Sequence, residues 1–195
     1  MRPEGDNVMS YNQILPVRAV ALAAVVSVVG LLAAACSDSP TSPSGTGSNL
    51  RLMLTDAPAG VDQVNIYFTS VDAKPVGRSV EHLDLQLASN PIDLLTLDDK
   101  VVGFAAGEVD PGEYEFVHIN IDESRSYLIE NGVRKTLRVP SQEIKVVGGF
   151  SIDDDHVTTL TLDFDADASL NRLGNGDWML RPVVIIAGKN ERARD

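Results

Sequence analysis

From Leu50 onward no apolar run keeps a helical spacing. Apolar residues instead alternate with polar ones over short stretches broken by Gly, Pro, Asn and Asp. A period of two sends successive side chains to opposite faces of a strand, so this part of the chain is confined to sheets with one face buried. The clearest case is 114–122, where Val117, Ile119 and Ile121 share one face and His118, Asn120 and Asp122 the other. Segments 50–54, 64–71, 80–87, 144–152, 158–164 and 178–187 read as further strands, and 92–97 as a short strand or a single helical turn. Asn131-Gly132 supplies the two positive-φ positions of a type I′ hairpin turn between strands at 127–130 and 136–139. Gly148-Gly149 suggests a bulge, and Pro182 an edge or bulged position. Roughly nine strands without a long amphipathic helix predict an all-β, antiparallel two-sheet β-sandwich over residues 50–189. Residues 190–195 read as a disordered tail.

The first 35 residues have a different character. Arg2 and Arg18 precede an uninterrupted weakly polar to apolar run from Ala19 to Ala35, which ends in Leu31-Leu32-Ala33-Ala34-Ala35 before Cys36, the one cysteine of the chain. A cationic start, an apolar middle and small residues before the cut describe a signal peptide, and a cut that ends at cysteine resembles a bacterial lipobox. Residues 1–35 are therefore expected to form a signal helix that is removed, with Cys36 lipidated. The run is at the short edge of what spans a bilayer, and it has no polar face to turn to water as a core helix. Several acyl chains on Cys36 would make anchoring stable where one would not. Ser37, rather than aspartate, follows the cysteine. By resemblance to enteric sorting rules, that favours the outer membrane where the host has one. Ser37 to Asn49, rich in Ser, Pro and Gly, reads with Cys36 as a flexible tether, 36–49, holding the domain roughly 20 Å from the bilayer.

Charge narrows the partners. The chain carries a net charge of −12 over 195 residues, and loss of Arg2, Arg18, Glu4 and Asp6 with the signal leaves that balance unchanged. A nucleic-acid partner requires a basic footprint and is not expected. With Cys36 spent on lipid, disulfides and thiolate metal sites are excluded, and stability must come from the core.

Catalytic signatures are missing: the sequence has no GxSxG, HExxH, SxxK or phosphate loop. His82, His118 and His156 are far apart, and His118 on a polar strand face reads as a solvated cross-strand partner. A triad of Ser141, His118 and a carboxylate is the enzymatic alternative. No catalytic residue is expected. The sharper candidate is Asp163, Asp165 and Asp167, with Asp153-Asp154-Asp155 one strand earlier. If the strand continues, alternation places the three on one side, where close carboxylates repel unless a cation lies between them, and calcium would suit their oxygens. The alternative is that the strand ends near Phe164 and the aspartates cap a turn or meet arginine or water. No cofactor other than calcium is expected.

Leu54-Thr55-Asp56-Ala57-Pro58, Ile92-Asp93-Leu94-Leu95, Pro111-Gly112-Glu113-Tyr114, Val139-Pro140-Ser141, Leu162-Asp163-Phe164-Asp165-Ala166 and Arg181-Pro182-Val183 together resemble the bacterial domain of unknown function 4382, over about residues 49–188. The chain departs from that pattern after Ser141, where the family suggests glycine and Gln142 stands. The resemblance implies a signal-bearing lipoprotein and assigns no activity. Val109-Asp110-Pro111-Gly112-Glu113-Tyr114 also resembles the strand entry of transthyretin-like and carboxypeptidase-regulatory-like sandwiches, close to immunoglobulin-like ones in architecture, which implies a buried tyrosine pinning a corner. Anchor, tether and acidic sandwich together predict a non-catalytic cell-envelope module. It would reach the membrane through lipid on Cys36 and bind an envelope polysaccharide or protein through sheet edges and end loops such as 72–80. An envelope hydrolase and a structural assembly subunit are the alternatives.

Overall fold

The segment expected as one strand at 64–71 is two strands in different sheets. In the computed structural model, which describes residues 47–57, 59–98 and 100–194, β1 (Leu50–Ala57) is followed by β2 (Gln63–Ile66) and β3 (Phe68–Pro75). Between the last two, backbone groups leave the ladder. Tyr67 N donates to Ser126 Oγ (3.0 Å), while the Asn90 amide donates to Phe68 O (2.7 Å) and accepts from Phe68 N (2.9 Å). Buried backbone groups must be bonded somewhere, and here side chains substitute for strand partners, so the chain can turn from one sheet into the next. The expected strand at 80–87 divides likewise into β4 (Glu81–Leu83) and β5 (Gln86–Leu87), with Leu85 N bonded to Leu83 O across the corner (2.9 Å). Gly107 lies against that corner: a Cβ there would come within 2.8 Å of Asp84 O.

The order continues with β6 (Ile92–Asp93), a 3₁₀ turn (Leu94–Leu97), β7 (Val102–Gly107), β8 (Gly112–Ile121), β9 (Tyr127–Glu130), β10 (Val133–Arg138), β11 (Glu143–Ile152) and β12 (His156–Asp165). A one-turn helix α1 (Ala166–Ser169), β13 (Leu170–Arg172), β14 (Trp178–Leu180) and β15 (Val184–Ala193) complete it. Segment 92–97 is thus both a short strand and a helical turn, in sequence. β7 escapes the alternation rule because Gly103, Phe104, Ala105 and Ala106 are all buried, as in a strand covered on both faces.

The all-β, sandwich-like architecture holds, with two corrections. The described strands form three hydrogen-bonded sheets rather than two: β15-β12-β1-β7-β5, β13-β14-β10-β9-β2-β6, and β11-β8-β3-β4. Pairing is also mixed, since β1 runs parallel to β12 from Leu50↔Thr158 to Ala57↔Asp165, and β10 runs parallel to β14. Alternation reports which face is buried and is blind to strand direction, so a parallel pair of distant segments leaves no mark in the sequence.

Both ends of the domain lie outside the expected bounds. Ser48 and Asn49, assigned to the tether, are buried, and Asn49 joins the ladder through Thr158 N to Asn49 O (2.7 Å) and Asn49 N to Gly107 O (3.2 Å). The expected tail is strand: Asn190 to Ala193 pair with Thr159 to His156, and Arg194 reaches Glu108 at 2.9 Å. Asn190, Glu191 and Arg192 are exposed and polar, so only backbone pairing with β12 signals the strand. The expected signal peptide, the expected lipidation site Cys36 and the expected tether up to residue 46 lie outside the described residues.

The core joins Leu50, Leu52 and Leu54 of β1 to Leu160, Leu162 and Phe164 of β12, Phe104 of β7, Val117 and Ile119 of β8, and Ile144 and Val146 of β11. Phe68 meets Phe104 edge-on at 4.9 Å, and Tyr114 stacks on Phe150 at 5.1 Å. The hairpin turn is as expected, with φ of 51° at Asn131 and 72° at Gly132. The ladder slips between Val147 and Phe150, at the expected Gly148-Gly149 bulge.

Gln142 adopts φ 53°, the left-handed conformation that glycine occupies without a steric cost. The turn therefore keeps the shape a glycine would give it. A side chain there costs about 1–2 kcal/mol, partly offset by its smaller backbone entropy loss on folding. Gln142 is exposed, so its removal uncovers no packing. Gln142→Gly should raise stability by roughly 0.5–1 kcal/mol in urea denaturation; an unchanged or lower midpoint would refute the strain at this turn.

Candidate functional site

The three aspartates do not line one strand. Asp163 is half-buried within β12, opposite Thr55 and Ile185, but the strand ends at Asp165. The Asp165 carboxylate caps α1 by accepting from Ala168 N (2.9 Å), and Asp167 lies exposed on the helix itself. The condition for a shared side, a strand continuing to residue 167, is not met, and the capping alternative describes Asp165. No group of three His, Cys, Asp or Glu side chains able to hold a metal ion occurs among the described residues.

The histidines lie on carboxylates. On the outer face of the β11-β8-β3-β4 sheet, Asp72 bonds His82 Nδ1 (2.9 Å) and Asn120 Nδ2 (2.7 Å), and Asp72 is the register partner of His118. His118 stacks on Phe116 at 4.6 Å, with Nδ1 3.6 Å from the Glu143 carboxylate. Ser141 is not brought to it: the hydroxyl donates to Glu143 O (2.7 Å), and Ser141 lies four residues before Lys145, the register partner of His118. No hydrogen bond joins Ser141 to His118 among the described residues, and the left-handed Gln142 turn separates Ser141 from β11. His156 pairs with Asp155 at 2.8 Å, and this bond holds the Asp155 carboxyl below its ordinary range.

Tyr114 pins its corner as expected, donating to Asp110 O four residues upstream (2.8 Å). Burial raises its phenol pKa, with the Glu81 carboxylate adding to the effect. At this end of the domain, residues 75, 76, 78 and 110–113 line an open hollow of about 500 Å3, where Arg78 is engaged by Glu81 (3.6 Å) and Asp110 (3.8 Å).

A second cleft, of about 420 Å3, was not foreseen. It is lined by residues 123, 124, 126 and 127 before and at the start of β9, and by 134–137 of β10. The hairpin brings these together: Tyr127 faces Thr136 across the ladder, and the Arg134 guanidinium lies over the Tyr127 ring, 3.8 Å from its centroid. Arg125 repeats the arrangement over Tyr67 at 4.1 Å. The floor is held by local bonds. Ser126 Oγ donates to Asp122 O (2.8 Å), Ser124 Oγ donates to Asp122 Oδ1 (2.6 Å), and Glu123 Oε2 accepts from Val139 N (3.1 Å). The Ser124 bond is the main cause of a lowered Asp122 pKa. The signal available in sequence was local charge: Arg134, Lys135 and Arg138 fall within one hairpin of an otherwise acidic chain, with Arg125 just before it.

Comparison with curated proteins and with solved structures finds no match to either. The family comparison does find one, a domain of unknown function, over residues 47–182. That stretch runs from the buried Ser48-Asn49 start through β14 and takes in five of the six motifs and most of the sixth, so this chain belongs to the DUF4382 family.

Proposed function

We propose that this protein is a membrane-anchored lipoprotein of the cell envelope whose sandwich-like domain is a non-catalytic binding module for an envelope polysaccharide or protein. The anchor rests on sequence: cationic start, apolar run, small residues and Cys36, then a Ser/Pro/Gly tether. The observation that carries binding is the cleft at 123–137, a concave polar surface walled by a guanidinium stacked on a tyrosine. Arginine and tyrosine are the side chains most often found where recognition energy concentrates. Ser126 and Ser141 are bonded to backbone, and His82 and His156 to carboxylates, rather than to each other, which supports binding over hydrolysis.

The anchor and the binding are tested separately. Cys36→Ala should abolish incorporation of labelled palmitate and move the protein from the membrane to the soluble fraction; unchanged partitioning would refute the anchor. The tagged whole chain, immobilised and exposed to envelope extract, should retain a polysaccharide or protein. Retention of nothing would overturn the binding role.

A further inference from the structure

We propose that the 123–137 cleft binds the carboxylate of an acidic saccharide, with Arg134 as its principal contact; this deepens the binding role and rests on it. Among the described residues Arg134 makes no ion pair, although Glu123 lines the same cleft, so its charge is open to a ligand.

Arg134 is exposed, yet its guanidinium is placed by the Tyr127 ring at 3.8 Å. Stacking occupies the flat face of the guanidinium and leaves its in-plane N–H fork for an acceptor, and that fork matches a carboxylate in two parallel bonds. A side chain already held in place loses less rotamer entropy on binding. The neighbouring wall is fixed too, since Ser126 Oγ accepts from Tyr67 N and Arg125 lies over Tyr67.

The other groups of the cleft select a saccharide over a bare anion. Glu123 would repel a small dianion but accepts hydrogen bonds from hydroxyl groups, and Ser124 and Thr136 add hydroxyls of their own. A ligand that carries one carboxylate among many hydroxyls satisfies both signs of charge, and about 420 Å3 lies within the usual size of a ligand pocket. The net charge of −12 does not forbid this. At physiological salt, repulsion fades beyond about 8 Å, whereas a bond at contact distance is screened far less.

The test is calorimetry on the whole chain in detergent, titrated with trigalacturonate, its methyl ester and triglutamate. Trigalacturonate should bind, and the ester and Arg134→Gln should each weaken binding about tenfold, as loss of one charge-assisted bond implies. Lys100→Gln makes the same change in net charge at an exposed residue outside the cleft and should leave affinity unchanged. No heat with trigalacturonate, equal binding of the ester, equal loss in the two variants, or tighter binding of triglutamate would each overturn the assignment. If the Arg134→Gln chain still retains the envelope component, the contact lies elsewhere and only the cleft assignment fails. If the unaltered chain retains nothing, the binding role beneath it fails as well.

Discussion

Asn49→Ala should cost about 3 kcal/mol of stability, a large share of the 5–15 kcal/mol that a domain typically has. The Asn49 amide is fully buried and closes a two-bond ring with Val109: Nδ2 donates to Val109 O (2.7 Å), and Oδ1 accepts from Val109 N (2.8 Å). Val109 is itself buried, in the connection between β7 and β8, so truncation strands one donor and one acceptor away from water. Each stranded group costs about 1–3 kcal/mol. For a domain of this size the melting temperature should fall by roughly 6–12 °C. Asn49→Asp separates the hydrogen bonds from packing, since it keeps the volume and one acceptor but sets a second oxygen against Val109 O. It should be at least as destabilising as alanine at neutral pH. A loss below 1 kcal/mol for alanine in thermal and urea unfolding would show that the amide ring is not what fixes this corner.

Asp56→Ala should be nearly as severe, at about 2–3 kcal/mol by urea denaturation. Asp56 is the penultimate residue of β1 and is buried, and its Oδ1 accepts from Ala166 N at 3.0 Å, where β12 passes into α1. Ala166 is also fully buried, so the N–H has no ready water to replace the carboxylate. Bonds to a charged acceptor are about twice as strong as neutral ones, and removing the acceptor leaves the donor with its full desolvation cost. Asp56→Asn keeps an oxygen in place and should lose roughly half as much. Equal losses for Asn and Ala would mean that the charge, rather than the acceptor, holds the junction. This bond joins two of the six motifs directly, since Leu54 to Ala57 and Leu162 to Asp165 lie side by side on parallel strands. Their side-by-side placement gives a physical reason for both phrases in one domain.

The candidate sites were legible to unequal degrees. Asp163, Asp165 and Asp167 formed a pattern only if the strand ran on, and a capping bond at Ala168 ended it two residues early. Tyr114 was legible because Pro111-Gly112 fixes the turn locally and leaves the ring one place to go. The cleft was not. Its walls come from both arms of the 127–138 hairpin, and the stacking of Arg134 on Tyr127 depends on a diagonal across the ladder that no linear spacing states.

By itself the sequence determined what depends on neighbours in the chain. Alternation gave strand faces, Asn131-Gly132 the hairpin, Gly148-Gly149 the bulge, and six short motifs in order gave the family. Only the tertiary structure decided that 64–71 and 80–87 each turn a corner between sheets, that β1 lies parallel to β12, and that Asn49 and residues 190–193 belong to the fold. These outcomes rest on backbone bonds between residues as far as 109 positions apart, as from Thr158 N to Asn49 O. Backbone donors and acceptors are the same at almost every residue, so their partners are chosen by packing and leave little trace in side-chain order.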